Sequence, residues 1–124
     1  MMKKKLQEVG KIKNATLYSF NGIKLASSER AIRQLLILHI ILIAIMIFMP
    51  FDIAVKMVLL MASFISMIVE LFNTAIEAAV DYTSTEYHIL AKRAKDVASA
   101  AQMTALILLA ILWILALIDY WHFI

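Results

Sequence analysis

Three apolar runs dominate the chain, at residues 35–51, 53–69 and 97–118. Each is close to the roughly 17 to 25 residues that carry an α-helix across a bilayer, so three transmembrane helices are expected. The first run is broken only by His39 and ends in Pro50-Phe51-Asp52. With no acid in its own run, His39 reads as a hydrogen-bonded structural histidine. The second run carries Lys56 near its start, four residues after Asp52. That spacing lets the lysine pair with Asp52 or snorkel to the far interface. Gln102 is the most polar member of the third run.

Between and before these runs the pattern turns amphipathic. Residues 3–21 place Leu6, Val9, Ile12, Leu17 and Phe20 among Lys3, Lys4, Lys5, Lys11 and Lys13. Such a helix suits the headgroup layer. Asn21-Gly22 is a helix-stop signal, after which Lys24, Glu29, Arg30 and Arg33 lead a second polar helical segment into the first run. No Gly or Pro interrupts residues 53–81, so the second span extends to Asp81 as one helix of about 43 Å at 1.5 Å per residue. A hydrocarbon core is about 30 Å thick, which leaves the Glu77 end outside it and Glu70 just inside. Thr83 followed three residues later by Glu86 has the form of a capping box. A new helix is expected to start there and to continue as the third span. The prediction is a single all-α membrane domain over 1–124, with an arm at 1–34 and three spans.

Composition strengthens this picture. Of the 124 residues, 64% are hydrophobic, with a mean hydropathy of +0.88, against about half in soluble domains. There is no cysteine, which excludes a disulfide framework, a thiol nucleophile and a Cys-type zinc site. No apolar h-region follows the opening Met-Met-Lys-Lys-Lys, so no secretory leader is expected. Eight of the twelve basic residues precede residue 35, and Lys92, Arg93 and Lys95 lie between the second and third runs. The positive-inside rule then puts the N-terminus and the 82–96 loop in the cytoplasm and the C-terminus outside. Beside long apolar runs, a basic arm points to anionic lipid and not to nucleic acid. Trp113, Tyr120 and Trp121 read as bilayer anchors.

The chemistry concentrates at residues 70–96. Glu70, Asn73, Glu77 and Asp81 are spaced i, i+3, i+7 and i+11 and project from one face of a helix. Carboxylates so aligned repel unless a cation or protons intervene. Hard oxygens suit Mg²⁺, which takes one or two carboxylates and completes its shell with water and phosphate. Lys95 and Arg93 are placed to neutralise phosphate charge. The combination fits phosphoryl transfer, where catalysis is mostly positioning and charge neutralisation. Plainer roles compete: Glu70 and Asn73 as helix glue, Glu77 paired with Lys92 or Arg93, and Lys95-Asp96 as snorkelling and helix-start charge. Gly10 and Gly22 are the only glycines, so there is no Walker loop, G-x-G-x-x-G or kinase catalytic loop.

ELFNTAIEAAVD at 70–81 followed by EYHILAKRAKDVASAA at 86–101 resembles the signature of the prokaryotic integral-membrane diacylglycerol kinases. The resemblance implies a homotrimer of three-span subunits in the bacterial inner membrane, with active sites shared between neighbours. It implies transfer of the γ-phosphoryl group of ATP to diacylglycerol, giving phosphatidic acid. By the same resemblance Glu70 is the general base, assisted by Asn73. Glu77 and Glu29 hold Mg²⁺ with the ATP phosphates. Lys95, Asp96, Glu86, Tyr87, His88, Tyr18 and Lys11 contact the nucleotide. Lipid contacts fall to Glu70, Ser99 and Trp113, together with Lys56 and Arg33. The arm departs from the family pattern: the Gly22 to Glu29 spacing is one residue shorter, Lys11 stands where Arg is common, Phe20 where Trp is frequent, and Leu35 where an acid is usual. Relatives acting on undecaprenol share the fold and remain an alternative acceptor class, although their segment tends to carry His-Pro where this one has EYH. A small ion-coupled transporter, with Glu70 as its intramembrane carboxylate, is the reading from another class.

Overall fold

The computed structural model describes residues 1–83, 86 and 88–124. Among these, all regular structure is helical, in the order α1 (Met2–Ala26), α2 (Arg30–Phe48), α3 (Ile53–Thr83) and α4 (Ile89–His122). The last three are long and apolar enough to cross a membrane. At 1.5 Å per residue α2 is about 28 Å long, which only just matches a hydrocarbon core of about 30 Å, whereas α3 and α4 reach about 46 and 51 Å. The long pair therefore projects well past the apolar layer, and the charged stretch sits on that projection.

Helix boundaries differ from the expectation at two places, both for local reasons. α1 runs straight through Asn21-Gly22, where Gly22 keeps a negative φ and the stop signal goes unused. The break falls instead at residues 27–29. The Ser27 and Ser28 hydroxyls donate to the Lys24 and Leu25 carbonyls at 2.8 and 2.6 Å, taking over the terminal acceptors of α1. Glu29 is extended (φ −73°, ψ 134°) as the N-cap of α2. A Cβ at Gly22 would meet nothing within 4 Å. Gly22→Ala is therefore expected to stabilise α1 by about 0.5–1 kcal/mol, read as a two- to fivefold slowing of amide exchange across that helix. Faster exchange would mean that the glycine is required there.

The second difference lies between α3 and α4. Thr83 does not cap α4: its hydroxyl donates back to the Ala79 carbonyl at 2.9 Å and closes α3. α4 begins at Ile89, where the Leu90 amide donates to His88 Nδ1 at 3.1 Å. Ser84 and Thr85 lie outside the described residues. Once started, α4 is continuous into the third apolar run, as expected.

The buried positions repeat every three or four residues on each long helix: Ile32, Leu35, His39 and Met46 on α2, Leu59, Ser63, Ser66 and Glu70 on α3, Ala98, Gln102, Ala105, Leu109 and Ala116 on α4. This 3.5-residue spacing is the seam of left-handed helix packing. Where α3 meets α4 the seam is rich in alanine and serine, with Ala62, Ser63, Ser66, Ala98, Ala105 and Ala116, letting backbones approach where lipid offers no hydrophobic drive between helices. Many other apolar side chains are exposed, as on Ile37, Ile41 and Ile114, and suit hydrocarbon as solvent.

At the end of the bundle away from α1, Phe51 packs edge-on against Trp113 and Tyr120 at 6.2 and 6.0 Å. Trp113 is thus part of the packed end, unlike the exposed Trp121. Lys56 does not pair with Asp52. Its Nζ donates to the Ile47 carbonyl at 3.1 Å, a C-terminal acceptor of α2 that has no partner within its own helix.

Candidate active site

α3 holds the site on its uninterrupted last turns. At about 100° per residue, Glu70, Asn73, Glu77 and Asp81 occupy an arc of about 80°, and the environment changes steadily along it. Glu70 is buried, Asn73 half-buried, Glu77 and Asp81 exposed. The Glu70 carboxylate lies beside the Asn73 side chain and within electrostatic reach of Glu77. Asn73 Oδ1 is buried and has no hydrogen-bond partner among the described residues. The arc therefore runs from a buried carboxyl, through an unpaired oxygen, to a solvated carboxylate.

α4 supplies the positive charge. Lys95 Nζ bridges to Asp81 Oδ1 at 2.5 Å, joining the two helices, and Glu77 acts electrostatically on the same ammonium. Lys92 pairs with Asp96 one turn along α4, also at 2.5 Å. Neither Lys92 nor Arg93 forms an ion pair with Glu77 among the described residues. Both observed pairs are largely exposed, and exposed pairs contribute no more than about 1 kcal/mol. An arriving phosphate can recruit Lys95 at that small cost.

The arm approaches from the side. Glu29, Ser28 and the α1 residues Ser19, Gly22, Ile23, Leu25 and Ala26 form a groove of about 750 Å³ with Leu71, Thr74, Ala75 and Ala78 of α3. Those four α3 positions centre about 105° round the helix from the acidic arc. Glu29 thus lies over a neighbouring face and not over Glu77's. Arg33 is tied to the same turn, Nη1 donating to the Ser28 carbonyl at 2.6 Å. Lys11 and Tyr18 are exposed on α1. A second concavity, of about 460 Å³, is lined by Val80, Thr83, Glu86, His88, Leu90, Ala91 and Ala94. Tyr87 lies outside the described residues.

Two of the expected lipid contacts, Lys56 and Trp113, are apart from this cluster, and a third, Ser99, is next to it. Ser99 is exposed on α4, one turn past Lys95. Lys56 is fourteen residues before Glu70 on α3, and Trp113 fourteen after Ser99 on α4, each about 21 Å along its helix. Both belong to the opposite end of the bundle, with Phe51 and the end of α2. What spacing alone missed was the partner of Asp81. Asp81 to Lys95 is a tertiary contact across a chain reversal and carries no local period.

Comparison with known proteins adds the decisive observation. The profile of the family described as "Prokaryotic diacylglycerol kinase" matches residues 17–117. The chain belongs to the prokaryotic diacylglycerol kinase family. Among its relatives, a protein named "Diacylglycerol kinase" from Helicobacter pylori is 44% identical over 100 residues, covering 80% of this chain and 78% of that one. The "Diacylglycerol kinase" of Pseudomonas aeruginosa is 40% identical over 104 residues, 83% of this chain and 85% of its own. That of Escherichia coli K12 is 37% identical over 108 residues, covering 86% and 88%. Within this family match lie all the candidate residues except Lys11.

Proposed function

We propose that this chain is an ATP-dependent diacylglycerol kinase of the bacterial inner membrane that makes phosphatidic acid. The observation that carries the reading is the acidic arc within the family match, with buried Glu70 at one end and exposed Glu77 and the Asp81–Lys95 pair at the other. Lipid arrives from the apolar layer and nucleotide from water, so a reaction between them needs this kind of graded face. The kinase name shared by the relatives favours phosphoryl transfer over ion transport. The basic arm and loop favour a cytoplasmic location for this end.

In this reading Glu70 accepts the proton of the lipid hydroxyl as that oxygen bonds to the γ-phosphorus, and ADP leaves with the electrons of the broken bond. Burial suits a carboxylate to the task, because its charge is poorly solvated and gains most from a proton. Asn73 orients the Glu70 carboxylate. Lys95 exchanges Asp81 for a phosphate oxygen, while Glu86, His88, Asp96, Tyr18 and Lys11 are the nucleotide contacts proposed from the resemblance. Ser99, Arg33, Trp113 and Lys56 remain the lipid-side candidates, the last two remote from Glu70. The donor set fits Mg²⁺, which takes one or two carboxylates and completes its shell with water and phosphate: Glu77 offers a solvated carboxylate, and Asn73 Oδ1 is a hard oxygen without a partner among the described residues. Glu77 and Glu29 would hold the ion, which when bound with ATP neutralises charge on the transferring phosphate. Because Glu29 and Glu77 lie over different faces of α3 within a protomer, we further propose that the site is completed between copies in a homotrimer.

Purified protein given Mg²⁺ and γ-labelled ATP is expected to label diacylglycerol in preference to undecaprenol when both are supplied side by side. Label confined to undecaprenol would transfer the reading to that acceptor. No label in any neutral lipid would sink it.

A further inference from the structure

The arc does not end at Glu70. Ser66 and Ser63 continue it back along α3 at i−4 and i−7, and both are buried. Opposite them Gln102 of α4 donates from Nε2 to Ser66 Oγ at 3.4 Å, while its Oε1 is buried without a partner. From α2 comes His39, 2% exposed. Neither of its ring nitrogens has a hydrogen-bond partner among the described residues. Instead of the self-satisfied structural histidine expected from the sequence, the bundle holds an imidazole with nothing to bond. A buried polar group left in that state bears its full desolvation cost. An unmet group of this kind calls for a ligand.

His39 and Ser63 line a cavity of about 310 Å³ whose other walls are almost entirely hydrocarbon, among them Leu36, Ile40, Phe64 and Leu71. The cavity reaches Leu71, which follows Glu70 in the chain and lies about 100° round α3 from it. Side chains on a helix lean toward its N-terminus. α2 and α3 run in opposite directions across the short 49–52 link. His39 therefore leans toward the α1 end of the bundle while Glu70 leans away from it, which narrows the offset of about 10 Å along α3 between Glu70 and Ser63, the residue that shares the cavity with His39. In a 1,2-diacylglycerol one ester sits on the carbon beside the one that bears the free hydroxyl, and the other on the carbon beyond it. A hydroxyl at Glu70 brings an ester carbonyl into the layer just beneath, and an acyl chain into hydrocarbon.

We propose that His39 donates a hydrogen bond to an ester carbonyl of the neutral glycerolipid acceptor, whose acyl chain fills this cavity, so that His39 selects ester-bearing lipids and helps hold the hydroxyl at Glu70. The proposal rests on the kinase reading above and narrows it: a polyprenol has no carbonyl to offer. His39 acts here as a specificity residue.

The test compares kcat/KM for a diester glycerol and a diether glycerol with the same chains, which share hydroxyl and hydrocarbon and differ only in the carbonyls. The native protein is expected to favour the diester by roughly three- to tenfold, the scale of one hydrogen bond, mostly through KM. In His39→Leu the ratio falls close to one, and in His39→Gln, which keeps a donor, part of the preference returns. Equal turnover of both lipids by the native protein overturns the proposal, as does a preference that survives in His39→Leu; in either case the kinase reading stands. Absence of label from both lipids would instead bring down the kinase reading and this proposal with it. If His39→Leu fails to fold, the infrared band of carbonyl-labelled diester bound to the native protein replaces that arm. A band shifted down from its position in bare lipid supports the hydrogen bond, and an unshifted band overturns it.

Discussion

Glu70→Gln is expected to lower kcat for lipid phosphorylation by about 10²- to 10⁴-fold, the range associated with loss of a positioned general base, with the helices intact. The substitution keeps shape and hydrogen-bonding reach but removes the only group on the arc that is both acidic and buried. The replacement amide suffers less from burial than a carboxylate, since taking a charge out of water costs far more than taking out a neutral polar group. The folded protein should therefore be no less stable than the parent, and circular dichroism together with the thermal midpoint checks this. A helix-glue role for Glu70 predicts the reverse pattern: the amide keeps a hydrogen-bonding group at the same position, so activity would persist. Kinetics settle between the two, because Glu70→Gln would retain most of kcat if the carboxylate only held helices together.

Much of this site is legible in the sequence because it obeys a helical period. Glu70, Asn73, Glu77 and Asp81 can be assigned to one face from spacing alone, and the lack of Gly or Pro after Ile53 makes one helix of α3. Less legible features depend on competition between partners. Asn21-Gly22 is a fair stop signal, yet Gly22 tolerates helical φ, and two serine hydroxyls five and six positions later supply the actual ending. Lys56 had Asp52 within reach by local spacing, but the bare C-terminal carbonyls of α2 lay close in space and took the ammonium. His39, Ser63, Ser66 and Gln102 come from three helices, and no one-dimensional pattern shows that they occupy one layer. The 3.5-residue repeat would have indicated part of it, because Ser66 and Ser63 sit where the Glu70 stripe must continue.

Glu77→Gln is expected to reduce Mg²⁺-dependent turnover by about 10²-fold or more, the scale on which loss of a metal ligand or its supporting partner acts. Glu29→Gln should give a comparable loss. Raised Mg²⁺ should restore activity in part, because a weakened ligand set lowers occupancy before it alters chemistry. If Glu77→Gln leaves the Mg²⁺ dependence as it was, the carboxylate is a solvated surface charge and the metal assignment fails. The two variants also report on where the metal site is built. Glu29 sits over the Leu71–Ala78 face of its own α3, rather more than a quarter turn from Glu77. If instead each site takes Glu29 from one copy and Glu77 from another, mixing unlabelled Glu29→Gln and Glu77→Gln subunits would regenerate some sites with both carboxylates intact. Recovery of activity on mixing is the expected result. A mixture as inactive as its parents would mean that the arm swings across its own helix to close the site, and the short Gly22 to Glu29 spacing would then be the register that aims it.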